Sequence, residues 1–380
     1  MALRDDQPRD AAVLLPDAVL PDFGGACIAS LVPALFSRHD GAAPDWLPPS
    51  LIDAEQVVLF VVDGLGARQL EERRSLTPVM SAMERSLLTS VAPSTTAAAL
   101  TSITTGLAPA EHGLLGYRLA ERGAVLNVLK WRIGEEDVRE RLAPAAYQPH
   151  LPFFGRPVPV VSRARFSGSG FTEAHLRGAP LVGWSLASSI AVEVRRLLDA
   201  GERFVYAYYD GLDAIAHERG LGAHYDAELA HVDRLVAALQ DALPAGAALA
   251  ISADHGEMEA ASPSIDLAPA IGEVPVRHSG EGRFRWLGVA PHEAAGLVGR
   301  LRHHLGERAY VARLDELEAV GLFGGPVAPE HRARLGEVAV IARAAVSFLD
   351  PDDPSEGRLV GRHGGLSAAE MYVPLLGARR

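Results

Sequence analysis

Cysteine and lysine are almost missing from this sequence: Cys27 and Lys130 are the single examples of their kinds in 380 residues. One thiol excludes an internal disulfide and any metal cluster built from several cysteines. No apolar run approaches the length of a membrane-spanning helix. The first twenty residues are interrupted by aspartates and prolines where a signal peptide needs an unbroken apolar core, so the expected location is cytoplasmic. Basic residues are outnumbered, 36 against 48, and the net charge of −12 disfavours a nucleic-acid backbone or an anionic membrane as partner. Repeats, heptads and low-complexity tails are also lacking. What remains, 48% hydrophobic and 22% charged, is the composition of an ordinary globular protein.

Three continuous apolar runs organise the chain: Val57–Val62, Phe204–Tyr209 and Ala247–Ser252. Each has the profile of a strand buried on both faces, and each ends in acidic or imidazole residues close to a glycine. Helical patterns lie between them, clearest over Tyr225–Leu243, where Leu229, Val232, Leu235, Val236 and Leu239 keep one face apolar. The expected fold class is α/β, a largely parallel central sheet with helices on both faces. Residues 1–55 read as an N-terminal arm packed on the core, and residues 56–380 as the catalytic domain. Within it, residues 113–185, with short apolar pieces and several prolines, read as an inserted cap, and Ser167-Gly-Ser-Gly as a surface turn. Strands are also expected at Phe284, Val338 and Glu370.

The residues that carry chemistry sit at the ends of these runs. Asp63, Asp213, His217, Asp254, His255 and His363 supply carboxylates and imidazoles, the ligand types that suit zinc when no thiolate competes. Asp213 and His217 are four apart, so one helical turn directs both at one ion. Six ligands exceed one four-coordinate ion and divide into two sites. Val91–His112 adds Thr95 and Thr96 at the start of a helical pattern, where free N–H groups favour an anion. A threonine hydroxyl there is a nucleophile only if something activates it. Most of the 14 histidines are expected to be surface or core residues, His175 and His331 among them. His112 is expected to shape the nucleophile loop, Asp210 to support the ligand stretch, and His278 and Arg283 to line the substrate pocket.

Val61-Val-Asp-Gly64, Pro93-Ser-Thr-Thr96 with Thr105-Gly106 ten residues on, Asp213-x-x-x-His217, Ala253-Asp-His-Gly256 and Gly361-x-His363-Gly364 stand in one order. Together they resemble the alkaline phosphatase superfamily and, within it, the nucleotide pyrophosphatase/phosphodiesterase (type I phosphodiesterase) group. The resemblance implies an alkaline-phosphatase-like three-layer core and two divalent ions, zinc first and manganese as the alternative. It implies that Asp63, Asp254 and His255 hold one ion, that Asp213, His217 and His363 hold the other, and that Thr96, not Thr95, is the nucleophile between them. The expected activity is hydrolysis of a small phosphate ester, such as a nucleotide, by a two-metal phosphodiesterase or pyrophosphatase through a phosphothreonine. The rivals are a phosphomonoesterase, a phosphomutase and a non-catalytic metal-binding relative. A sulfatase does not fit, since Cys27 lacks that branch's surroundings. One departure is plain: the family follows its nucleophile with Phe-Pro-Asn, and here Ala97, Ala98 and Ala99 stand instead.

Overall fold

The computed structural model of the protein describes residues 9–41, 43–260, 263–353 and 355–380; the start of the expected arm, residues 1–8, lies outside them. Seven strands form the central sheet: β1 (Val57–Val62), β2 (Glu84–Thr89), β3 (Val160–Arg163), β4 (Leu181–Trp184), β5 (Phe204–Tyr209), β6 (Ala248–Ser252) and β7 (Tyr372–Arg379). Their order across the sheet is β2-β7-β6-β1-β5-β3-β4. Only β7 runs against the rest, between β2 and β6. β1 pairs in parallel with β6 on one side and β5 on the other. Every residue of these three strands is buried, as their unbroken apolar composition requires.

Helices flank the sheet in two groups. Thr96–Thr105 packs with Leu31–Ser37 and Gly170–His175, whereas Ser189–Asp199 and Gly211–Arg219 pack on Ala223–Ala242. The last of these buries Tyr225, Leu229, Val232, Val236 and Leu239, the face expected from their spacing. N-terminal residues lie against the core, with Thr89 donating to the Ala26 carbonyl at 2.7 Å and Cys27, Ile28 and Leu31 fully buried.

Two readings of the sequence need correction. The stretch 113–185 is not one inserted cap. Its first part forms a small antiparallel sheet from Arg118–Glu121, Ala124–Asn127, Arg132–Ile133 and Glu136–Asp137. Its second part supplies β3 and β4 of the central sheet. Four-residue strands introduced by Pro159 and Pro180 carry too short a pattern to be told from a loop.

The strands expected at Phe284 and Val338 exist, but in a separate antiparallel sheet. It is built of Arg277–Glu281, Phe284–Gly288, Ala309–Arg313 and Val338–Ala342. Side-chain alternation explains why. Phe284, Trp286, Ala339 and Ile341 join the main core, while Leu287, Val338 and Val340 turn into a second core with Leu297 and Leu301.

One buried ion pair fastens this second sheet to the first. Arg283 donates from Nε and Nη2 to the Glu370 carboxylate at 2.6 and 2.8 Å, and from Nη1 to the carbonyls of Ala344 and Val346. Glu370 in turn accepts from Gly365 N–H at 2.8 Å and Ser367 Oγ at 2.6 Å, holding the loop that follows His363. Both side chains are fully buried. Removing one partner strands the other's charge, so Glu370→Leu is expected to cost about 3–5 kcal/mol. Arg283→Met together with Glu370→Leu is expected to cost clearly less than either single change. Urea unfolding of the metal-free proteins measures both.

Candidate metal-dependent active site

Three adjacent parallel strands end at the same edge of the sheet. β1 delivers Asp63, β5 leads through Asp210 into the helix Gly211–Arg219 that carries Asp213 and His217, and β6 delivers Asp254 and His255. In an open α/β sheet this carboxyl edge is where a site forms. His363 arrives from a distant part of the chain. Gly361–Arg362 pairs with Met258–Glu259, just beyond His255, and this two-residue ribbon draws His363 into place.

Glycine makes the convergence possible. A Cβ on Gly64 would stand 3.2 Å from both Asp213 and Glu257, at a φ of +75°. A Cβ on Gly256 would lie 2.1 Å from the Ala369 carbonyl oxygen. The Asp-Gly and Asp-His-Gly signatures are thus the price of bringing backbones together behind the ligands.

Asp63 and Asp254 each have one oxygen anchored and the other presented. Asp63 Oδ2 accepts from the Tyr208 hydroxyl, and Asp254 Oδ1 accepts from Gly64 and His255 N–H at 3.2 and 3.0 Å. Asp63 Oδ1, Asp254 Oδ2 and Asp213 Oδ1 are buried and have no hydrogen-bond partner. The imidazoles behave in the same way. His217, His255 and His363 place Nδ1 against the carbonyls of Gly361, Gly256 and Ser94 at 2.7, 3.2 and 2.9 Å. A carbonyl only accepts, so each Nδ1 carries the proton and each Nε2 lone pair faces the cluster.

His255 Nε2 is 3.3 Å from Asp254 Oδ2 and 3.5 Å from Asp63 Oδ1. Asp213 Oδ1 lies 3.2 Å from His217 Nε2 and 3.8 Å from His363 Nε2. Two groups have donor atoms all within 4.8 Å of one another: Asp63, Asp254 and His255, and Asp213, His255, Glu257 and His363. The Asp/His cluster can therefore bind divalent ions.

Electrostatics agree with this chemistry. Burial, with Asp254 and Asp213 nearby, raises Asp63 well above the usual carboxylate range, and burial raises Asp254. Against the cost of its own burial, Asp213 is held at about 2 by His217, His363 and His255. Burial, with His255 and His217 close by, pushes His363 well down, so it is a neutral ligand at physiological pH.

Thr96 opens the helix Thr96–Thr105, with Thr95 as the residue before it. The first helical bond runs from Ala99 N–H to the Thr95 carbonyl at 2.9 Å, leaving the N–H groups of Thr96, Ala97 and Ala98 without an intrahelical partner. Thr96 Oγ1 is 3.2 Å from His255 Nε2. A cavity of about 340 Å³ lies on one side, walled by Leu100, Leu129, Phe166, Phe171 and Tyr208. A second of about 240 Å³ lies on the other, walled by Tyr117, Glu281, Glu356 and Arg362. Thr96, Leu129, Asp213 and His217 border both.

The two expected pocket residues fare differently. Arg283 borders the second cavity, as expected, with its guanidinium bonded to Glu370 and two carbonyls. His278 lies on the strand Arg277–Glu281 with its side chain buried, and it borders neither cavity. Four residues of the site escaped the sequence reading. Glu257, two positions past His255, was open to discovery as a carboxylate beside a ligand tip. Arg362 adjoins His363. Glu281, whose carboxyl burial pushes up to about 8, carried no local signal, and neither did His175, which stacks on Phe171 with ring centroids 4.0 Å apart.

His112 secures the helix Thr96–Thr105. Its Nδ1 accepts from Leu114 N–H at 3.1 Å, so Nε2 bears the proton and donates to Ser102 Oγ at 2.9 Å. The neutral ring thus uses both nitrogens, and burial lowers its pKa from 6.5 to about 3. The unfolded chain takes up this proton first. Stability from His112 is therefore complete above pH 6.5 and is lost as pH falls from 6.5 toward 3. Between pH 7.5 and 5 the wild type is expected to lose ~2 kcal/mol more than His112→Gln, read from urea unfolding at both pH values.

A model of the type I phosphodiesterase / nucleotide pyrophosphatase family matches residues 57–366. At the level of sequence, no curated protein matches the chain. Among solved structures, murine ectonucleotide pyrophosphatase/phosphodiesterase 5 is similar with a TM-score of 0.65 and 14% identity, over 84% of this chain and 87% of that one. Phosphonoacetate hydrolase from Sinorhizobium meliloti, in complex with phosphonoacetate, is similar with a TM-score of 0.62 and 16% identity, over 86% and 91%. These likenesses establish the alkaline-phosphatase-like α/β fold.

Proposed function

The chain belongs to the type I phosphodiesterase / nucleotide pyrophosphatase family, and from that premise we propose that it hydrolyses a phosphodiester or pyrophosphate-type bond, with Thr96 as nucleophile. The observation that carries this reading is the position of Thr96: its hydroxyl is 3.2 Å from His255 Nε2, at a helix N-terminus, where two cavities meet. The similar murine protein, in an inactive form, was also solved in complex with AMP.

Two divalent ions, zinc or manganese, held by Asp63, Asp254 and His255 and by Asp213, His217 and His363, would supply the positive charge that favours an alkoxide at Thr96 and at the leaving group. Thr96 Oγ attacks phosphorus as the bond to the leaving oxygen breaks; water then cleaves the phosphothreonine and restores the hydroxyl. Free N–H groups of Thr96, Ala97 and Ala98 stand ready for a phosphoryl oxygen, which offsets the amide side chain missing from the Ala97–Ala99 stretch.

Two cavities around one nucleophile suit a phosphorus with a group on either side. The larger has an aromatic and aliphatic wall for an organic substituent. In the smaller, Arg362 donates from Nη2 to the Glu356 carbonyl at 2.8 Å and has no ion-pair partner among the described residues. That cation suits a leaving group which is itself anionic, as in a pyrophosphate. A monoester would leave one cavity unused.

Thr96→Ala is expected to reduce kcat/KM roughly a thousandfold or more with ion content unchanged, and Thr95→Ala by less than about tenfold. Exchange of those outcomes would assign the nucleophile to Thr95. With identical ion loading, a nucleoside p-nitrophenyl phosphodiester is expected to exceed p-nitrophenyl phosphate in kcat/KM. A tenfold preference for the monoester, about 1.4 kcal/mol of transition-state stabilisation, would make the protein a phosphomonoesterase.

A further inference from the structure

Glu257 lies two residues past His255, on the turn between β6 and the ribbon strand Met258–Glu259. Its side chain is fully buried, no N–H or cationic group pairs with either carboxylate oxygen, and its one hydrogen-bonding contact is another acid, the carboxylate of Asp213. Nothing nearby compensates it. The amide of the neighbouring Gln69 donates to the main-chain oxygens of Glu257 and Ala369, not to the carboxylate. The charged groups that act on Glu257 are other acids, Asp213, Glu370 and Asp254, and Glu370 is already neutralised by Arg283. A carboxylate held without a partner away from water is costly unless a cation joins it.

The geometry says which cation. Donor atoms of Asp213, His255, Glu257 and His363 all lie within 4.8 Å of one another. Ligands about 2.1 Å from one ion stand at most roughly 4.2 Å apart, so small rotamer adjustments suffice. Gly64 leaves the space that the carboxylate fills, since a Cβ there would be 3.2 Å from Glu257 Oε1.

We propose that Glu257 is a further oxygen ligand of the divalent-ion site built on Asp213 and His363, and that it biases this site toward Mn²⁺ over Zn²⁺. The inference rests on the two-ion reading above. A second carboxylate beside Asp213 matches the charge of a divalent ion and adds a hard donor, which suits manganese better than a histidine-rich tetrahedral set does. A competing role exists, in which Glu257 is a neutral acid that donates a hydrogen bond to Asp213. Glutamine separates the two, because Glu257→Gln keeps shape and donor and loses only the charge.

Calorimetric titration of metal-free wild type and Glu257→Gln with MnCl₂ and with ZnCl₂ is the test. Wild type is expected to bind two ions. The variant is expected to lose at least tenfold in Mn²⁺ affinity at one site, with a smaller loss for Zn²⁺ and no change at the other site. Its metal-free form is expected to melt at the same or a higher temperature, since an unpaired buried carboxylate has been removed. Two ions bound with unchanged affinities by the variant would overturn this inference alone. A lower melting temperature of the metal-free variant would assign Glu257 a structural role and also overturn it. Wild type that binds neither ion would overturn the two-ion reading, and this inference with it.

Discussion

Four carboxylates, those of Asp63, Asp213, Asp254 and Glu257, share a site in which no arginine or lysine pairs with any of them among the described residues. Mutual repulsion and loss of hydration both act against such a cluster. The surrounding structure is arranged to hold it. Peptide N–H groups and a tyrosine hydroxyl fix one oxygen of Asp254 and of Asp63, and three carbonyls fix the tautomers of three histidines. The result is a preorganised set of lone pairs aimed inward, which divalent cations can compensate.

Thr96, the proposed nucleophile, is held by equally rigid parts. Thr96 begins a ten-residue helix whose other residues are all buried, and His112 ties Ser102 of that helix to the following loop. Elements on both sides then shape the approach. The helix Gly170–His175 and β5 give the larger cavity its aromatic wall, while the second sheet and the ribbon at Gly361–Arg362 give the smaller one its acid and its cation. Family membership points to chemistry at phosphorus; in the proposed reaction, these walls would select the groups that the phosphorus carries.

The second sheet has two faces with different duties. One extends the main core through Trp286 and Ile341, and the other closes a small core of its own around Leu287 and Val340. Arg283 and Glu370 lock it against the strand that ends the chain. Because Glu370 also accepts from Gly365 N–H, the clasp holds the loop that carries His363.

How much of this was written in the chain order depends on how local each feature is. Val57–Val62, Phe204–Tyr209 and Ala248–Ser252 carry their burial in continuous composition, and their tips Asp63, Asp213 and Asp254 are adjacent to them in sequence. The Asp213–His217 pair needs only one helical turn, and Gly64 and Gly256 mark backbones that must approach closely. Those features are local, so periodicity and spacing determined them. Other features are decided by partners outside the local segment. β3 and β4 are too short to announce themselves, and Phe284 and Val338 read as strands without showing which sheet they join. Arg283 was expected to line the pocket, and its ion pair with Glu370, 87 residues on, is not visible in local sequence. Glu257, Glu281 and Arg362 gain meaning only where three separate segments meet, because burial without a partner is a property of packing, not of spacing.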